Sequence, residues 1–91
     1  IMIIISYDIK DDKLRTSFSK MLTRHGAIRL QFSVYEVNNT KRILDNIQIQ
    51  IKEKYGKFFT PDDSVVIFEV SNSSVLKFGN AIHRDKDVFF F

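Results

Sequence analysis

Two segments with the apolar spacing of a helix lie between segments with the spacing of strands, and this order restricts the fold more than any other feature. The first helical segment follows Asp11 and Asp12, whose side-chain oxygens suit the free amides of a first turn, and it ends before Gly26, which suits a left-handed C-cap. The second follows a short polar stretch and ends in the same way before Gly56. The apolar positions that define the two helices are Leu14, Phe18, Met21 and Leu22, and then Ile43, Leu44, Ile47, Ile51 and Tyr55.

The remaining patterns predict strands. Residues 3–7 form a short apolar run that is typical of a buried strand, and residues 64–70 form another run rich in β-branched and aromatic residues. Residues 27–37 alternate, which places Arg29, Gln31, Ser33 and Tyr35 together on the more polar face. This run is long for one strand of about five or six residues, so a turn near residues 31–33 is expected to divide it in two.

The order strand, helix, strand pair, helix, strand predicts an α+β fold, a ferredoxin-like β-α-β-β-α-β sandwich. We expect a single domain over residues 1–91, with an extra C-terminal strand at residues 87–91 that packs on a partner subunit. The two helices would cover only one face of the sheet. Tyr35, Phe89 and Phe91 would then need cover on the other face, which predicts a homodimer that buries it.

Composition excludes several classes of protein. The 14 Lys and Arg residues exceed the 11 Asp and Glu residues, giving a net charge of +3 that suits an anionic partner without requiring one. The absence of Cys excludes a disulfide framework and a thiolate metal site. No apolar run reaches about 18 residues, so we expect neither a membrane span nor a signal peptide, no membrane partner, and a cytoplasmic location. Glycine-rich phosphate loops and serine-nucleophile motifs are absent, and His25 and His83 have no ligand-forming neighbours and are expected to be solvated.

An aspartate, Asp8, ends the first apolar run, and the residues leave two roles open for it. It is either a former of the turn into the first helix or a ligand. Asp11 and Asp12 are expected to act as helix caps. Arg15, one turn later, either pairs with Asp11 or contacts a phosphate.

Two stretches, "YDIKDDKLR" at residues 7–15 and "GAIRLQFSVYE" at residues 26–36, resemble the CRISPR-associated protein two family, the small subunit of the spacer-acquisition machinery. The family pattern is a first strand that ends in Tyr-Asp-Ile, an acid-rich helix start with an Arg, and a Gly followed by an Arg-x-Gln-x-Ser-Val-aromatic strand. The matching residues are Tyr7, Asp8, Ile9, Asp11, Asp12 and Arg15, and then Gly26, Arg29, Gln31, Ser33, Val34 and Tyr35. The resemblance covers roughly the first forty residues.

The resemblance implies a prokaryotic CRISPR adaptation subunit with a ferredoxin-like fold, a symmetric homodimer and a final strand that crosses to the partner. Such a subunit binds duplex DNA through its backbone and bridges the integrase subunit, and this role requires no catalysis. The alternative that it implies is an endonuclease acting on RNA or duplex DNA, with Asp8 as the catalytic residue and Mg²⁺ ligand at the dimer axis. A toxin-like ribonuclease of the same fold is a third reading, so the sequence leaves open whether the chain is an enzyme.

The other candidate site residues are Tyr7, Arg15, Arg29, Ser33 and Tyr35, as contacts to nucleic acid or to the dimer partner. Arg29 projects from the polar strand face and could reach either one, while Ser33 is expected mainly to satisfy the hairpin turn. The remaining cations are most simply solvated. Doubled by a dimer, however, they could form a stripe that follows duplex phosphates without reading bases.

Overall fold

The computed structural model describes residues 2–38 and 41–79, which form an antiparallel sheet with two helices on one face. The helices and strands are β1 (Met2–Asp8), α1 (Asp12–Arg24), β2 (Ile28–Gln31), β3 (Val34–Asn38), α2 (Lys41–Gln50) and β4 (Ser64–Val70). The predicted order of elements is confirmed. The predicted strand at residues 87–91, with Phe89 and Phe91, lies outside the described residues, as does His83.

The sheet has the strand order β2-β3-β1-β4, and every neighbouring pair is antiparallel. The apolar first run therefore occupies a central strand, where both edges are hydrogen-bonded. Within the sheet, Ile5 lies between Tyr35 and Ile67, and its neighbour Ile4 lies between Glu36 and Phe68. Because directly paired residues share a face, the row of Ile5 faces the helices and the row of Ile4 faces away from them. We call the second side the open face.

The core lies between the helices and the row of Ile5. Phe18, Met21 and Leu22 of α1 have no exposed surface, and Leu44 and Ile47 of α2 are buried beside them. These are the positions that helical periodicity selected. A π-helical turn at Ile51–Tyr55 continues α2 and brings the Tyr55 hydroxyl to 2.9 Å from the Ser17 hydroxyl, which ties the two helices together.

The ends of α1 follow the local sequence. The Asp11 carboxylate accepts a hydrogen bond of 2.9 Å from the Leu14 amide, which confirms the predicted N-cap. At the other end Gly26 has a φ of 95°, and the Ala27 amide donates to the Leu22 carbonyl at 3.0 Å. This is the Schellman arrangement that a C-terminal glycine permits. His25, expected to be solvated, is instead half-buried, with its Nδ1 2.9 Å from the Met21 carbonyl oxygen.

The prediction of a second left-handed cap at Gly56 is wrong. Gly56 has a φ of −57° and continues the helical path into a 3₁₀ turn. A Cβ atom at this position would lie 2.9 Å from the carbonyl oxygen of Ile51. Glycine is needed here because the π turn brings backbone close to backbone, which is a different requirement from a positive φ.

The predicted face of Tyr35 is also wrong. A turn at residues 32–33 and a register irregularity between Arg29 and Gln31 break the alternation assumed for residues 27–37. Tyr35 still shares a face with its partner Arg29, but this is the face toward the helices, where Tyr35 is 3% exposed, while Val34 and Glu36 lie on the open face. The predicted dividing turn itself is confirmed.

The open face is largely apolar and only partly covered in the described chain. Val66 is 46% and Phe68 is 48% exposed. Glu36 is 1% exposed and its Oε1 lies 2.5 Å from the Lys77 Nζ, so the segment after β4 reaches across this face. In the described part of the chain, no helix has the length and apolar content needed to cross a bilayer.

Candidate nucleic-acid and metal site

Asp8 is the last residue of β1 and lies opposite Ser64 of β4. Its carboxylate is exposed, and the Lys10 Nζ lies 3.2 Å from each of its oxygens. Strand alternation directs Asp8 to the open face, away from the neighbouring Tyr7, which is buried toward the helices.

The loop after Asp8 is held by a second aspartate that the sequence analysis did not select. The Asp63 carboxylate accepts hydrogen bonds from the backbone amides of Thr60, at 2.7 Å, and Lys10, at 2.9 Å. These two bonds, from Thr60 first, lower the pKa of Asp63 below its usual value. Asp63 therefore joins the turn before β4 to the end of β1 and fixes the backbone beside Asp8. The only sequence signal for this role was the acidic, proline-containing turn "TPDD".

A Mg²⁺ site at Asp8 depends on the oxygen donors that surround its carboxylate. Among residues 2–38 and 41–79, no group of three or more His, Asp or Glu side chains is placed to hold a metal ion. Mg²⁺ keeps most of its waters and binds proteins through one or two carboxylates. In the described part of the chain the Asp8 carboxylate is contacted by the Lys10 amine, which a bound cation would have to displace.

Arg15 forms hydrogen bonds and an ion pair at the start of α1. Its Nη1 donates to the carbonyl oxygens of Ile9, at 2.9 Å, and Lys10, at 3.2 Å, and its Nη2 pairs with Asp12. Of the two roles left open for Arg15, the pair with Asp11 does not form, because the Asp11 carboxylate caps the helix. The carbonyl contacts fix the guanidinium at the mouth of a groove.

That groove, between α1 and the β2–β3 hairpin, has a volume of about 440 Å³ and is lined by Tyr7, Arg15, Arg29 and Ser33. Tyr35 lies in the adjoining depression, which also contains Arg29. The structure therefore brings five of the six candidate residues together. Asp8 does not line the groove, and it lies on the opposite face of the sheet.

Tyr7 is the buried residue of this groove. Burial, followed by the neighbouring Tyr35, raises the pKa of Tyr7 to about 12, although Arg29 and Arg15 oppose the shift. Its ring packs edge-on against Phe18 with centroids 4.9 Å apart. The phenol therefore stays neutral at physiological pH, with its hydroxyl beside two guanidinium groups.

The shifted pKa of Tyr7 predicts a loss of stability at alkaline pH. Because the folded pKa is raised from 10.0 to about 12, the neutral phenol's contribution is fully present below pH 10 and is lost as the pH rises toward 12. A shift of two units corresponds to about 2–3 kcal/mol. Unfolding by urea at pH 9 and pH 11.5 should show a larger decrease in the wild type than in Tyr7→Phe, and equal decreases in the two proteins would contradict the assignment.

The outer face of α1 carries a row of cations. Lys13, Lys20 and Arg24, which we call the α1 basic stripe, are spaced by seven and four residues and so share one side of the helix. None of the three, nor Arg29, has a carboxylate partner among the described residues. The sequence left two roles open for these cations, as solvated residues or as a stripe along duplex phosphates, because their lack of acidic partners is visible only in three dimensions.

Three further groove residues escaped the sequence analysis. Thr16 and Ser19 line the groove from α1, and Phe32 lines it from the hairpin turn. The signal for Phe32 was a large apolar residue inside a predicted turn, where glycine, asparagine or serine is usual. The two hydroxyl residues had no signal beyond their position on the same helix as the basic stripe.

The sequence is similar to a known protein family and to two of its members. The family model described as CRISPR associated protein Cas2 matches residues 1–78. The chain is 31% identical over 71 residues to CRISPR-associated endoribonuclease Cas2 1 of Methanospirillum hungatei, covering 78% of this chain and 72% of that protein. It is 40% identical over 50 residues to CRISPR-associated endoribonuclease Cas2 3 of Chloroflexus aurantiacus, covering 55% of this chain and 53% of that protein.

Solved structures agree in architecture. Cas2 of Streptococcus pyogenes superimposes with a TM-score of 0.65 at 20% identity, covering 87% of this chain and all of that one (100%). A hypothetical protein of Thermus thermophilus gives a TM-score of 0.62 at 25% identity, with 78% and 82% covered. The ferredoxin-like element order, the "YDI" strand end and the match over residues 1–78 lead to one conclusion: this chain belongs to the CRISPR-associated Cas2 family.

Proposed function

We propose that the chain is a CRISPR adaptation subunit that forms a homodimer, holds duplex DNA by its backbone and bridges the integrase subunit. The observation that carries this proposal is the α1 basic stripe beside Arg29, a set of cations without acidic partners in the described chain. From Lys13 to Arg24 the helix rises about 17 Å. This equals the axial rise of about five base pairs, so the stripe is long enough to meet several phosphates.

The groups between the stripe cations also suit a DNA backbone. Thr16, Ser19 and Thr23 place hydroxyl groups among the stripe cations and Arg29. The Ser19 and Thr23 hydroxyls donate to helix carbonyl oxygens at 3.1 Å, so they would have to rotate to donate to a phosphate. Hydroxyl and cationic side chains supply most protein contacts to phosphate oxygens, and such contacts carry no sequence information directly. Binding by this surface should therefore be sensitive to salt and tolerant of sequence.

The homodimer part of the proposal rests on the open face. Phe68, Val66 and Ile28 leave between 40% and 48% of their surfaces exposed there. Covering such a face with a second copy would remove apolar surface from water and also bring the two Asp8 side chains to the same interface. The integrase contact rests on family membership alone.

The decisive experiment is a salt titration of binding to two blunt duplexes of unrelated sequence. The logarithm of affinity should fall linearly with the logarithm of salt, by about 0.9 for each phosphate neutralised, with nearly equal affinities for both duplexes. A strong preference for one sequence, or a flat salt dependence, would contradict backbone binding. Failure to co-elute with the cognate integrase at low salt would contradict the bridging role.

A second candidate function is a Mg²⁺-dependent endonuclease centred on Asp8, of which a toxin-like ribonuclease is a special case. The observation that favours it is the exposed Asp8 carboxylate on the face where a second copy would dock, and both curated relatives are named endoribonucleases. Paired Asp8 side chains would hold the ion, which when bound would acidify a water and stabilise charge on the phosphate. The substrate would be RNA or duplex DNA.

Replacing Asp8 by Asn tests this candidate. With Mg²⁺ present, cleavage of single-stranded RNA or duplex DNA by the wild type should fall in Asp8→Asn to the rate seen with chelator, because the amide is a poorer ligand than the carboxylate. Salt-dependent DNA binding should remain, because Asp8 does not line the groove. Asp62→Asn, an exposed aspartate in the nearby turn, is the matched control and should cleave normally. Equal, metal-independent rates in wild type and Asp8→Asn would assign cleavage to a contaminant.

A further inference from the structure

We propose that the groove between α1 and the β2–β3 hairpin binds an unpaired nucleotide, with Phe32 as the surface on which its base stacks. Phe32 occupies the hairpin turn and is 81% exposed. Neither the turn nor the core needs a large apolar residue at this position. An exposed aromatic ring at the rim of a cationic groove is a feature of surfaces that stack single-stranded bases.

Arg29 holds one side of this aromatic surface. Its guanidinium carbon lies 5.2 Å from the centroid of the Phe32 ring, within the range of a cation–π contact. This contact limits the orientations of the ring, and the high exposure of Phe32 leaves room for a base to stack. Arg29 has no carboxylate partner among the described residues, so its charge is available to a phosphate attached to that base.

The groove has the size and chemistry for one nucleotide. Its volume of about 440 Å³ falls within the usual range of small-molecule sites, about 300–1,000 Å³. Ser33 and Thr16 supply hydroxyl groups, and the Arg15 guanidinium is held at the rim by the Ile9 and Lys10 carbonyls. Among residues 2–38 and 41–79 no carboxylate lines the groove, and the nearby Asp12 pairs with Arg15 at its rim.

The geometry favours an unpaired nucleotide over one inside a duplex. A paired base inside a duplex has both faces covered by its neighbours, so only a terminal or single-stranded base can stack on a side chain. The groove also adjoins the surface that carries the α1 basic stripe, through Thr16 and Ser19. A strand leaving a duplex on that stripe would therefore reach Phe32. This step rests on the proposed function, whereas the nucleotide site itself does not.

The test compares three ligands by fluorescence anisotropy or competition: a blunt duplex, the same duplex with a five-nucleotide single-stranded overhang, and adenosine monophosphate. Phe32→Ala should weaken overhang binding by on the order of tenfold for one stacked base and weaken blunt-duplex binding much less, because a blunt end exposes only one face of its last base pair. Phe32→Tyr should retain binding because it retains the ring. Phe58→Ala removes another exposed phenylalanine, which is 63% exposed and does not line the groove. This variant should bind the blunt duplex and the overhang duplex as tightly as the wild type does.

A direct readout is available because the chain contains no tryptophan. In Phe32→Trp, stacking of a base should quench the new indole fluorescence. If only the overhang duplex quenches the fluorescence, the site binds a nucleotide that is part of a strand. If adenosine monophosphate also quenches it, the site binds a free nucleotide as well. Absence of quenching by both, or equal loss of blunt and overhang binding in Phe32→Ala, would overturn the proposal. Phe32-dependent binding of the overhang duplex or of adenosine monophosphate, with no binding of the blunt duplex, would instead overturn the proposed duplex function and leave the nucleotide site standing.

Discussion

Replacing Phe18 by Ala is expected to lower the free energy of unfolding by about 3–5 kcal/mol. Phe18 has no exposed surface, and its ring centroid lies 4.9 Å from that of Tyr7, 5.3 Å from that of Tyr55 and 6.4 Å from that of Phe59. These neighbours come from β1, from the turn after α2 and from the loop before β4. Because each is anchored in a different element, the cavity left by the ring cannot close by moving one segment.

Urea unfolding at one fixed protein concentration measures this effect, since dimerisation would make stability depend on concentration. A domain of this size has a total stability of about 5–14 kcal/mol, so Phe18→Ala should lose a large fraction of it. Phe18→Leu, which fills most of the space, should lose much less. Phe58→Ala should change stability by less than about 0.5 kcal/mol, because Phe58 is exposed. A loss below about 1.5 kcal/mol for Phe18→Ala would mean that the aromatic cluster is not the centre of the core.

The sequence predicted those features of the fold that depend on neighbouring residues. The caps at Asp11 and Gly26 are local, since each hydrogen bond closes within about one turn. Helical spacing likewise selected Phe18, Leu44 and Ile47 for the core, because one stripe of a helix must face the sheet. The run at residues 64–70 coincides with β4.

The errors come from features that local patterns do not contain. Gly56 matches the composition of a left-handed cap, but its role depends on the approach of the Ile51 carbonyl in a π turn. The face of Tyr35 depends on how β3 pairs with β1, where Tyr35 lies opposite Ile5, and a shift of one residue in that register would reverse every side chain of the strand. The strand period is therefore predictable from the sequence, while the side of the sheet that each face occupies is not.

The candidate site residues lie on two separate surfaces, which the local sequence also does not show. Asp8 and Tyr7 are adjacent in the sequence and were taken as one motif, but alternation sends them to opposite faces of the sheet. Arg15 and Arg29 are separated in the sequence and meet Tyr7 in one groove. The Cas2-like motif thus contains two surfaces, an acidic position on the open face and a cationic groove beside α1. This separation allows metal-dependent cleavage and DNA binding to be tested with different variants.

Replacing both Lys20 and Arg24 by Gln is expected to produce the largest loss of DNA affinity. If each side chain neutralises one phosphate, the slope of log affinity against log salt should become less steep by about 1.8 for the pair. At about 0.15 M salt, this corresponds to about fivefold weaker binding for each contact and about 30-fold for both. Both residues are exposed, so the free energy of unfolding should change little.

The matched control is the double replacement of Lys52 and Lys57 by Gln, which removes the same net charge from exposed positions after α2 that line none of the three depressions beside α1. Its salt slope should stay close to that of the wild type. Equal losses in the two double variants would mean that DNA responds to the total charge of the protein and not to the α1 basic stripe. A loss confined to Lys20 and Arg24, equal for duplexes of unrelated sequence, would place the DNA backbone along α1, because contacts to phosphates alone do not distinguish bases.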